Sequence, residues 1–231
     1  MTLPLKAAAL GILAAAAMAV AAIASDPAEA SGRDRTYSVK ITNLTKGQVL
    51  TPPAVIAHRS GYQLFEVTGA ASEGLTTLAE TGFPGTLVDE AVLNPRVSAA
   101  EVGGGVIPPG QSIVVEITAD RWANELSVAA MLATTNDAFA AVRGLDLPRY
   151  RGHSTATGNV YDAGTEANNE LCDFIPGPPC GDAMNERDTG GAEGFIHIHN
   201  GIHGIADLAP ADLDWRNPAM KVEITRTRGD D

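Results

Sequence analysis

Three of the chain's five histidines fall within ten residues, in the segment FIHIHNGIHG that spans 195–204. His197 and His199 are two apart on an expected strand, so their side chains leave the same face, and His203 follows just beyond the turn at Asn200 and Gly201. Two imidazoles on one face and a third from the adjacent turn offer three nitrogen donors, the pattern of a Zn or Cu site with one position open. Asp207, Asp212 and Asp214 lie downstream, where they could orient such imidazoles. The same histidines could instead bond turn carbonyls or an acidic loop with no metal involved. A metal-dependent hydrolase centred on His197, His199 and His203 is one function this segment would support.

A second constellation is VYDAGTE, where the end of a strand passes into a turn carrying two carboxylates four residues apart, Asp162 and Glu166. Calcium takes six to eight hard oxygen ligands, which closely spaced carboxylates and the carbonyls of a Gly-containing loop can supply. An acidic turn is also an ordinary solvated surface, and spacing alone does not separate the two. Cys172 and Cys180 flank DFIPGPP and are expected to pair in an oxidising compartment, closing a small loop worth about 2 kcal/mol. There is no GxSxG elbow, phosphate-cradling P-loop or HExxH helix. Two carboxylates in a groove, all that a glycosidase needs, carry no such signature. The chain reads as a binding protein rather than an enzyme.

The elements that must position these residues are mostly strands. Tyr37, Val39 and Ile41 alternate with polar residues, and Ile113, Val115 and Ile117 do so within Ser112–Thr118. Val55–Ala57 resumes after the break at Thr51, Pro52 and Pro53; Phe195–His199 and Met220–Arg226 are later strands. Leu126–Leu132 is almost continuously apolar, which predicts burial on both faces. One short helix is expected over Ser72–Ala79. The residues from Arg149 to Gly194 are poor in periodic apolar positions and read as one long acidic loop. Short strands between Gly, Pro and Asn turns predict an all-β fold, an antiparallel β-sandwich with long acidic loops and little helix.

Lys6 followed by the apolar run Ala7–Ala24 has the form of a secretory signal peptide, with cleavage expected after Ala24. Residues 25–35 are then expected to be a disordered lead-in, 36–226 the domain and 227–231 a tail. The chain of 231 residues carries 16 basic and 28 acidic side chains, a net charge of −12. That balance argues against nucleic acid and anionic lipid as partners and makes cations the natural ligands. The expected location is secreted or periplasmic, with no membrane span after cleavage and a partner on the outside of the cell.

The two blocks AAMLATTNDAFAAVRGLDL and VYDAGTEANNE, in that order and at that separation, together with the opening TYSVKITNLT and its following PP, resemble the spondin domain family found in F-spondin and mindin. The likeness extends over Thr36–Arg226 and suggests a stand-alone member of bacterial type, without thrombospondin repeats. It implies a β-sandwich with calcium held at one end by Asp137 from the first block and Asp162 and Glu166 from the second. Ala138 stands where the family has tryptophan, and Glu166 where it has aspartate. Extracellular binding or adhesion is the function the resemblance implies.

Overall fold

The alternation at Tyr37, Val39 and Ile41 lies in β1 (Arg35–Asn43), where these three are fully buried and Lys40 between them is exposed. The computed structural model describes residues 34–181 and 186–227. The expected signal peptide, nearly all of the lead-in and residues 228–231 lie outside the described residues. β1 pairs with β4 (Ser112–Ala119) on one side and β9 (Met220–Arg226) on the other. β2 (Ala54–His58) lies between β3 (Val97–Val102) and β5 (Glu125–Met131), and β5 continues to β6 (Ala138–Asp146).

The strand that unites these two groups is β7 (His153–Asp162): its first half pairs with β9 and its second half with β6. The short β8 (His197–Ile198) adds to its end. The result is one antiparallel sheet of order β3-β2-β5-β6-β7-β9-β1-β4. The two end strands, β3 and β4, touch without pairing, so the sheet nearly closes on itself like a barrel. The all-β antiparallel class therefore holds.

Two apolar cores explain why β5 is buried on both faces. Leu126, Val128 and Ala130 point into the enclosed core with Tyr37, Val115 and Val222. Ala129 and Met131 face outward into a second cluster, covered by α1 (Glu73–Thr81) and α2 (Gly85–Val92). α1 starts where Ser72 accepts the Leu75 N–H at 3.2 Å and stops at Gly82, whose φ of 71° closes the helix. It presents Leu75, Leu78 and Ala79 to the sheet, along with the buried carboxylate Glu80. The remaining helix, α3 (Pro210–Leu213), is one turn. No helix among the described residues is long and apolar enough to cross a membrane.

Two sequence expectations need correction. The supposed loop from Arg149 to Gly194 contains the ten residues of β7. Its inward positions near the start are Ser154, Ala156 and Gly158, so the alternation is one of size rather than hydropathy. The strand expected over Phe195–His199 shrinks to two residues, because β7 offers it only Tyr161 and Asp162 as partners. The Cys172–Cys180 disulfide forms as expected. Asn43, which opens an NLT sequon, is wholly buried, its amide bonding the carbonyls of Gln48 and Ile107 at 2.7 and 2.8 Å.

Candidate cation site

The turn between β5 and β6 and the loop after β7 lie side by side because β6 and β7 are paired up to their ends, Ala138 opposite Asp162. In the first turn the Thr135 hydroxyl donates to the Leu132 carbonyl at 2.7 Å and accepts from the Ala138 N–H at 3.1 Å, which turns Asp137 inward. One carboxylate oxygen of Asp137, Oδ2, then receives the loop after β7: the Thr165 N–H at 2.7 Å, the Glu166 N–H at 3.1 Å and the Thr165 hydroxyl at 3.2 Å. Its other oxygen, Oδ1, is buried with no partner.

Asp162 is anchored by its own loop. Its Oδ1 accepts the Gly164 N–H and its Oδ2 the Asn168 amide, each at 2.7 Å. Gly164 has a φ of 68°, and a Cβ there would collide with the Phe195 backbone, so only glycine fits this bend. Glu166 follows, buried, with Oε1 unpartnered. Asp137, Asp162 and Glu166 are each no more than 1 % exposed. Burial and the neighbouring Asp162 carboxylate hold Asp137 well above the ordinary carboxylate range, against the opposing N–H donors of Thr165 and Glu166. Burial, then Glu80, then Asp137 push Glu166 up to about 8, with the Arg187 guanidinium opposing. Arg187 itself pairs with Glu80 at 2.5 Å.

The three sequence-predicted acidic residues thus share one buried neighbourhood, two of them with an oxygen that takes no hydrogen bond from the described residues. Such groups are stable either protonated or beside a cation. Among the described residues, the side chains whose donor atoms all come within 4.8 Å of one another are a different set: Asp162, Glu193 and His197. Asp137, Asp162 and Glu166 do not form such a group, and the like charges of Asp162 on Asp137 and of Asp137 on Glu166 oppose ionisation.

The histidines divide. The ring of His197 faces Asp162 Oδ1 at 3.7 Å and Glu193 Oε1 at 3.9 Å, and its Nε2 is buried without a hydrogen bond. His199 is committed: its Nε2 meets the Asn168 amide oxygen at 3.1 Å and its Nδ1 accepts the Gly201 N–H at 2.9 Å. Burial lowers its pKa to about 4, so it is neutral. His203 is exposed, and it is its backbone N–H that is held, by Glu170 at 2.5 Å. His197, His199 and His203 nevertheless line one cavity of about 130 Å³ with Asp162, Glu170 and Glu193. Asp207 and Asp214, expected to orient the imidazoles, bond backbone instead: Asp207 accepts the Cys172 N–H, and Asp214 accepts the N–H of Ile202 within the histidine segment and pairs with Arg216. Asp212 lies in α3 and is exposed.

Sequence reasoning did not single out Glu80, Asn168, Glu170 or Glu193. Asn168 sits two residues past Glu166 in the quoted block, so its nearness was readable; Glu80 and Glu193 arrive from distant elements and gave no local signal. Compared with known proteins, the chain matches no family model and no curated protein.

Proposed function

We propose that this is an exported calcium-binding module of spondin-like form, whose ion orders the acidic loops into a surface that binds an extracellular or cell-surface ligand. The ion is structural and the module performs no chemistry. The observation that carries this reading is the pair of unpartnered, buried carboxylate oxygens, Asp137 Oδ1 and Glu166 Oε1, in the neighbourhood of Asp162. Hard oxygen donors in a loop region match calcium better than a soft-ligand metal. The disulfide agrees with an oxidising compartment outside the cytoplasm.

Calcium titration by calorimetry tests the proposal. One ion per chain is expected for the wild type and none for Asp137→Asn. Equal binding by both would place calcium elsewhere. The rival of Zn or Cu on His197, His199 and His203 is weakened by the two hydrogen bonds that occupy the His199 ring.

A further inference from the structure

His197 is the one histidine of its segment whose geometry calls for an additional partner. Its Nδ1 lies 3.1 Å from the Ile198 carbonyl oxygen, which can only accept, so Nδ1 carries a proton in this contact and Nε2 is the ring nitrogen left to meet a ligand. That nitrogen is buried and unpartnered. Two carboxylate oxygens flank it, at 3.7 Å on Asp162 and 3.9 Å on Glu193, too far for hydrogen bonds. Ligand atoms about 2.05 Å from a tetrahedral ion stand about 3.3 Å apart; the two contacts of His197 are within about 0.6 Å of that, and the donor atoms of all three residues lie within 4.8 Å of one another, so binding draws the two carboxylates together.

The surroundings hold these donors in place. The Asn168 amide donates to Asp162 Oδ2 and its oxygen holds His199, which leaves Asp162 Oδ1 turned toward His197. The Phe195 ring lies 5.4 Å from the His197 ring. All three donor residues line the cavity of about 130 Å³, which has room for water or a small anion.

We propose that His197 Nε2, Asp162 Oδ1 and Glu193 Oε1 form a second cation site, for a borderline divalent ion such as Zn²⁺, with its remaining position open to this cavity. One nitrogen and two carboxylates balance the ion's charge and suit Zn²⁺, whereas calcium and magnesium prefer all-oxygen shells. The site shares Asp162 with the calcium reading but needs neither Asp137 nor Glu166.

The test is titration of the chain, purified without a histidine tag and kept in millimolar calcium, with Zn²⁺ and then Co²⁺. One Zn²⁺ per chain is expected, together with the visible absorption of four-coordinate Co²⁺. Both should disappear in His197→Ala and weaken about tenfold or more in Glu193→Gln. Glu193 is partly exposed, so that second variant keeps the fold if the first does not. The His203→Ala variant should bind as the wild type does. Zn²⁺ uptake that survives both His197→Ala and Glu193→Gln, or no uptake by the wild type, overturns the proposal. Uptake that depends on His197 while calcium leaves stability unchanged supports this site and removes the calcium reading instead.

Discussion

Replacing Glu166 with glutamine should make the calcium-free protein more stable at alkaline pH while abolishing its response to calcium. The folded protein holds the Glu166 proton up to about pH 8, against an ordinary value of 4.5. A carboxylate raised in this way contributes stability that is complete below the unfolded value and is lost as pH rises through the folded one. His58 and His199 are both lowered, so they add stability as pH rises through about 6.5 and little beyond about 7.5, with a sign opposite to that of the raised carboxylates. Asp120 and Glu223, also lowered, act only in the acid range. The window from pH 6.5 to 8.5 is therefore dominated by the raised carboxylates. Across it Glu166 alone removes about 2 kcal/mol, a fall of roughly 4–8 °C in midpoint for a chain of this size. Thermal unfolding in chelator should show that fall in the wild type and a much flatter profile in Glu166→Gln. In the wild type, saturating calcium should flatten the profile, because the ion displaces the proton. Parallel pH profiles for the two proteins in chelator would refute the reasoning.

Other outcomes follow from the same geometry. Gly164→Ala should cost at least about 1 kcal/mol and weaken calcium binding, since it strains a left-handed residue against the Phe195 backbone; unfolding with and without calcium would show both. Arg187→Met leaves Glu80 buried without its partner and should lower stability by about 1–3 kcal/mol in denaturant titrations. Leu126→Ala, in the enclosed core, should cost about 2–5 kcal/mol by the same assay without changing calcium stoichiometry. Replacing Cys172 and Cys180 together with serine should cost only about 2 kcal/mol, because the bridge closes a loop with a sequence separation of 8.

The parts of the fold written in local pattern were readable. β1 and β4 alternate, β5 is apolar almost throughout, and the short helix expected over Ser72–Ala79 is α1. What escaped depended on distant partners. β7 begins as HSTATG, whose small and polar residues become a strand only because β9 lies alongside. α2 is eight residues long with no side-chain cap and packs mainly on α1 and β3, so its own sequence carries little signal. The nearness of Asp162 and Glu166 was local; that of Asp137 came from the resemblance, and the pairing of β6 with β7 supplies its physical reason. Position along a strand put His197 and His199 on one face, yet it could not show that Asn168 and Gly201 occupy the ring of His199. Nor could it bring Glu193 to His197.

The most direct test of the central claim is the unfolding midpoint of the wild-type chain at neutral pH, in millimolar calcium and in chelator, beside Asp162→Ala. Calcium at a hundred times its dissociation constant adds about 2.7 kcal/mol, or roughly 5–11 °C. The expected result is a rise of that order in the wild type and none in the variant. A midpoint that calcium leaves unmoved, or that it raises equally in Asp162→Ala, would contradict a calcium ion at these loops.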